Sequence, residues 1–245
     1  MKFYVTGDKH GEITDMLFKL SYISNETVGV IILGDCGINF FLNYSEKFNK
    51  IKMQNSGHIF YLVQGNHEER PELLPNISKT YDDNVKNEVY LEEEFNNIRY
   101  LINGNTYHFG NYSAFVAGGA YSVDKDFRLK NNWKWFPNEQ LSEDERKDIL
   151  SSLELKKDNY YHFVFTHTLP KKFTPIDLFL PHINQEQVDK TMEEFLNQVE
   201  EKIVYTVWCS GHYHVDREQA PHVEILFNNI VDLDYLCHKW IKRSN

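Results

Sequence analysis

The chain has 245 residues, 41% of them hydrophobic, 25% charged and 15% aromatic, and a formal net charge of -10. That is an ordinary globular composition, long enough to bury a sizeable core. The acidic balance argues against extended nucleic-acid binding, and apolar runs of about six residues fall far short of the ~20 that span a bilayer, so no membrane partner is expected.

In chain order, Lys2 to Thr6 predicts a first strand that ends in Gly7-Asp8-Lys9-His10-Gly11. It begins directly after Met1, so no signal peptide is expected. Ile13, Met16, Leu17, Leu20 and Ile23 recur at helical spacing. Val28 to Gly34 is almost wholly apolar, as a strand covered on both faces must be, and Asp35 follows it at once. Tyr44, Phe48 and Ile51 predict a second helix, and His58 to Val63 a third strand that ends in Gly65-Asn66-His67-Glu68. This β-α-β-α-β start implies parallel strands.

Beyond Pro75, Ile98 to Phe109 alternates around Asn103-Gly104 and predicts a hairpin. Tyr112 to Ala117 predicts a strand, Tyr121 to Pro137 a long loop, and Ser142 with Glu145 a capping box for a helix through Leu153. Tyr161 to Phe165 predicts a strand ending in Thr166-His167-Thr168. Val188, Met192, Phe195, Val199 and Ile203 mark a helix. Val204 to Cys209 predicts a strand ending in Gly211-His212-Tyr213-His214, and Val223 to Phe227 one more. No repeat or linker is visible, so residues 1–245 read as a single domain. Cys36, Cys209 and Cys237 show no framework spacing, which fits a reducing, cytoplasmic compartment.

The strand ends deliver Asp8, His10, Asp35, Asn66, His67, His167, His212 and His214. All offer oxygen or imidazole nitrogen and none is a thiolate. Such a set suits divalent transition metals: manganese, iron, zinc or nickel. His58, His108, His162, His182, His222 and His238 match no such pattern and read as structural or surface residues. Glu92-Glu93-Glu94 reads as a solvated face, and Cys36 as a small buried apolar residue.

Asp-x-His-Gly, Gly-Asp, Gly-Asn-His-Glu, a lone His and Gly-His-x-His, in that order from Gly7 to His214, resemble the calcineurin-like metallophosphoesterases. Gly118 to Lys125 is similar to a small bacterial and phage branch of that family. The resemblance implies an α/β sandwich of two mixed β-sheets flanked by α-helices. It also implies two divalent metal ions, manganese first, bridged by Asp35. One ion would take Asp8, His10, Asp35 and His214. The other would take Asp35, Asn66, His167 and His212. His67 would be the catalytic acid or base. The implied reaction is attack by hydroxide, generated at the ions, on a small phosphate ester, mono- or diester, nucleotides included.

Two departures bear on substrate. Ile38 and Asn39 replace the second Asp and the Arg that the family's protein phosphatases carry after Gly-Asp, and Gln64 replaces their Arg before Gly-Asn-His-Glu. A cationic grip on phosphate would then come from Lys9, Arg70, Lys125, Arg128, Lys130 or Arg217. The aromatic run Trp133-Lys134-Trp135-Phe136 is either a surface that stacks on a nucleobase or a loop anchor or subunit contact. The alternatives to a small-ester hydrolase are a serine/threonine protein phosphatase, a non-catalytic metal-bound scaffold, and, against the net charge, a nuclease.

Overall fold

A computed structural model describes residues 1–181 and 183–244. The strands are β1 (Phe3–Thr6), β2 (Gly29–Leu33), β3 (Ile59–Val63), β4 (Ile77–Asp82), β5 (Asn87–Glu92), β6 (Ile98–Leu101), β7 (Thr106–Phe109), β8 (Tyr112–Ala117), β9 (Tyr160–Thr166), β10 (Val204–Ser210), β11 (Arg217–Ala220), β12 (Val223–Ile225) and β13 (Val231–Asp232). The helices are α1 (Ile13–Ile23), α2 (Tyr44–Asn55), α3 (Lys125–Lys130), α4 (Glu143–Leu155), α5 (Thr191–Glu200) and α6 (Leu233–Ser244).

They build two mixed sheets. A seven-stranded sheet runs β13-β1-β2-β3-β6-β5-β4, and a six-stranded sheet runs β11-β12-β10-β9-β8-β7. β1, β2, β3 and β6 are parallel, as are β8, β9, β10 and β12, and antiparallel strands close the edges. Alternation along β2 shows why its sequence is continuously apolar. Ile31 and Leu33 face the core between the sheets, while Val30 and Ile32 face the layer of α1 and α2. β8 does the same for the other sheet: Ala114 and Val116 point inward, and Phe115 and Ala117 point to α4 and α5. The α/β sandwich expected from the family is therefore present. The parallel strands of each sheet deliver their carboxyl ends to one rim, where ligands collect in open α/β sheets.

Four expectations need correction. Asn103-Gly104 is not a hairpin turn, because β6 pairs with β3 and β5 while β7 pairs with β8 in the other sheet. The dipeptide carries the chain between sheets, and Asn103 Oδ1 accepts from the Gly118 N–H at 2.6 Å. The stretch 121–137 is not all loop; it contains α3. Glu92 is buried, bonded to Lys50 Nζ at 2.6 Å and to the Tyr100 hydroxyl, whereas Glu93 and Glu94 are exposed. The helix read from Val188 to Ile203 is shorter, Thr191–Glu200. The capping box of α4 forms as read: Ser142 accepts from the Glu145 N–H, and the Glu145 carboxylate accepts from the Ser142 N–H.

Candidate functional site

Five strand ends meet through their backbone. The Lys9 and His10 N–H groups, just past β1, donate to the Asp35 carbonyl at 3.0 and 2.8 Å. The Gly211 N–H donates to the His167 carbonyl at 3.0 Å, which joins the ends of β10 and β9. Each buried carboxylate then spends one oxygen on a neighbouring strand end. Asp8 Oδ1 accepts from the His212 N–H, and Asp35 Oδ1 from the His67 N–H, both at 2.8 Å. Packing this tight requires glycine. At Gly34 (φ +91°) a Cβ would fall 2.2 Å from His167 Nδ1, and at Gly65 one would fall 2.0 Å from Asp35 Oδ1. His10, Asp35, His212 and His214 all have positive φ without being glycine. Such strain costs free energy and persists where the surroundings over-determine it, as functional sites do.

The other carboxylate oxygens face imidazoles. Asp8 Oδ2 is buried without a hydrogen bond, 3.0 Å from His214 Nε2 and 3.7 Å from His10 Nε2. Asp35 Oδ2 lies 3.9 Å from His10 Nε2 and 3.6 Å from His167 Nε2. His10 and His214 hold their Nε2 atoms 2.9 Å apart. The His167 tautomer follows from its surroundings. Nδ1 lies 2.7 Å from the Leu33 carbonyl, which only accepts, so Nδ1 keeps a proton, and Nε2, 2.8 Å from Asn66 Oδ1, is the nitrogen left for a second proton or an ion. Asp8, His10 and His214 form one group that could hold a metal, and Asp8, Asp35 and His167 a second. Asn66 and His212 adjoin the second, the His212 ring 5.0 Å from that of His167.

The electrostatics agree with a site built for positive charge. Burial alone would raise the Asp8 and Asp35 carboxyls, yet the imidazoles around them, His167 first, hold both below the usual range. Burial alone would lower His167, yet Asp35 and Asp8 push it up to about 10. Burial and the His167 charge press His212 down to about 3. Two buried carboxylates thus demand cations, and the donor atoms offered beside them are oxygen and imidazole nitrogen. An orphaned Asp8 oxygen and that donor chemistry fit divalent transition ions.

The family model for calcineurin-like phosphoesterase matches residues 1–216. The chain belongs to the calcineurin-like phosphoesterase family. It is a metal-dependent phosphoesterase. No curated protein matches it.

All eight residues singled out in the sequence converge in this phosphoesterase. His67 stands beside the two groups, its ring 6.0 Å from that of His10 and 6.2 Å from that of Phe40. The three replaced positions have become structural. Ile38 is in the core, Asn39 donates to the Tyr100 hydroxyl at 2.8 Å, and Gln64 accepts from Asn103 at 2.9 Å. Three cation candidates are also engaged elsewhere: Lys9 on the Phe227 carbonyl, Arg70 on Glu145 and Arg217 on Asp177. Arg128 remains near the site. Its guanidinium lies 5.6 Å from the Phe40 ring, and it pairs with Asp124, which lines the site cavity, at 2.7 Å. Of the histidines set aside, His58, His162 and His222 meet backbone or hydroxyl partners; His182 lies outside the described residues.

The sequence reading missed what fixes Asn66. Its amide donates to Ser122 Oγ at 2.8 Å, and Ser122 donates to Glu139 Oε2 at 2.5 Å. Trp135 Nε1 donates to the same oxygen at 2.8 Å. The chain of bonds turns Asn66 Oδ1 toward His167. It also answers the aromatic run: Trp135 and buried Phe136 anchor, whereas Trp133 is exposed. Only Ser122 carried a signal, through its place in Gly118 to Lys125.

Proposed function

We propose that this phosphoesterase is a dinuclear hydrolase of small phosphate esters, mono- or diesters, with nucleotides among them. The observation that carries the reading is the division of labour in Asp8 and Asp35. Each gives one oxygen to a backbone N–H and keeps the other among histidines. In this reading Asp8, His10, Asp35 and His214 hold one ion, Asp35, Asn66, His167 and His212 hold the other, and Asp35 bridges them. The proximity of Asp35 Oδ2 to both His10 and His167 supports the bridge. Manganese ranks first, with iron, zinc and nickel as alternatives, because no thiolate is offered. When bound, the ions would supply the nucleophile and neutralise phosphoryl charge.

The chain's own residues do the rest. The Leu33 carbonyl fixes the His167 tautomer, and Ser122 with Glu139 fixes the Asn66 amide. His67 donates a proton to the leaving oxygen. Its pKa is lowered, by burial first, with Asp35 acting against this and Arg128 adding to it. Asp124 also acts to raise it. Arg128, held by Asp124, is the cation beside His67. The cytoplasmic setting agrees with Cys36, Cys209 and Cys237 all being free and buried. Among the described residues no helix is long and apolar enough to cross a membrane.

The test is a screen of the manganese-loaded protein on p-nitrophenyl phosphate, nucleoside monophosphates, cyclic nucleotides and phosphopeptides. Metal-dependent turnover led by a small ester is expected. Fastest turnover of phosphopeptides would establish the protein-phosphatase alternative, and bound metal without turnover the scaffold.

A further inference from the structure

The site opens into a cavity of about 550 Å³, within the range of small-molecule pockets. Asp35, Asn66, His67, His212 and His214 line one part of it. Ile176, Leu178, Phe179, Leu180, Ile183 and Val188 give the rest of the lining an apolar wall, with Lys171, Thr174, Gln185 and Lys190 among them. Ile176, Leu178 and Leu180 are left solvent-exposed there, as walls that receive an apolar ligand are. Into this wall α5 places Glu193. The residue lines the cavity, is only 8% exposed, and its Oε2 is buried without a hydrogen-bond partner. A buried carboxylate oxygen without a partner costs free energy that folding does not require here. Burial, the largest cause, and Asp189 push its pKa up to about 7.

We propose that this wall holds the alcohol part of the substrate ester, and that this part is a heteroaromatic base whose N–H edge donates to Glu193. The inference rests on the phosphoesterase reading above and deepens it. A flat ring with apolar faces and a polar edge suits a lining that sets these apolar side chains beside the unpartnered Glu193 oxygen, with Thr174 and Gln185 as further polar groups. An alkylammonium group suits it less, because Lys171 and Lys190 line the same cavity. A site built to bond an N–H group discriminates strongly against the analogue lacking it, since its own polar atom is then left unpaired.

The experiment compares matched substrates on the manganese-loaded protein: guanosine against inosine monophosphate, and adenosine against purine riboside monophosphate. The members of each pair differ by one amino group. The wild type should prefer the amino-bearing member of at least one pair by about tenfold or more in kcat/KM. Glu193→Ala should bring that ratio below about twofold, while Glu193→Gln, which keeps an acceptor oxygen in place, should retain part of it. Equal rates within both pairs, an unchanged ratio in Glu193→Ala, or faster turnover of phosphoethanolamine than of every nucleotide would overturn the proposal. If the wild type fails to hydrolyse p-nitrophenyl phosphate, the phosphoesterase reading itself falls. Calorimetric binding of the free nucleosides then decides the cavity inference alone. Weaker binding to Glu193→Ala supports it, and equal binding refutes it.

Discussion

At the residue scale, the site divides its atoms between those left for the ions and those left for the proton. Asp35→Asn removes the negative charge that the side chain presents to both groups. We expect loss of both ions by metal analysis and a fall in turnover of two orders of magnitude or more, roughly the scale of removing one electrostatic stabiliser. Two ions bound at full occupancy in that variant would remove the bridge. His67→Gln should keep both ions. It should lose about 10²–10⁴-fold on a nucleoside ester, whose alkoxide needs a proton, and much less on p-nitrophenyl phosphate. Equal losses would point to phosphoryl binding instead. Glu193 carries a pH prediction. Its folded pKa, about 7, lies above the ordinary 4.5, so the native state binds the extra proton. The penalty is absent below pH 4.5 and complete above pH 7, so stability falls as pH rises through that window. Glu193→Gln removes the penalty. It should be more stable than wild type at pH 8, by on the order of 3 kcal/mol, and level with it at pH 4. Urea titrations at both pH values check this.

At the element scale, legibility followed sequence-local physics. β2 was readable because both faces are buried, α1 because its apolar stripe has helical period, and α4 because Ser142 and Glu145 bond each other. β4 and β5 were not readable. Their faces are mostly half-exposed, so neither alternation nor a continuous apolar run marks them. The Asn103-Gly104 turn misled because a turn dipeptide is the same whether the next strand folds back or crosses to another sheet. α6 has a clear apolar face, Leu233, Leu236, Cys237 and Trp240, and a capping Asp232 whose Oδ1 accepts from the Asp234 N–H at 2.7 Å, yet it went unread. Within the site, every candidate ligand was visible as a polar residue ending a strand. Ser122, Glu139 and Glu193 were not, because their importance lies in partners far along the chain or in having none. The segment from Ser122 to Glu139 makes its own prediction. Ser122→Ala frees the Asn66 amide and should weaken metal affinity about 10–100-fold, as the loss of an outer hydrogen bond to a ligand does. Calorimetric titration with manganese measures it, and unchanged affinity would detach this segment from the site.

At the scale of the whole molecule, the rim of two sheets is a single electrostatic device. The protein carries a net charge of -10, yet its cleft gathers buried carboxylates that call for cations, and those cations make it attractive to phosphate. The family match ends at residue 216, but the chain beyond it is woven into both sheets. β12 pairs with β10, β13 pairs with β1, and α6 sends Trp240 into the central core. We therefore expect residues 1–245 to unfold as one domain, in a single calorimetric transition that moves upward when manganese is added. The most direct measurement of the central claim is an anomalous difference map from manganese-loaded crystals, recorded above and below the manganese edge. The account predicts two peaks, one among Asp8, His10 and His214, the other among Asn66, His167 and His212, with Asp35 touching both. A single peak, or peaks away from these residues, would contradict it.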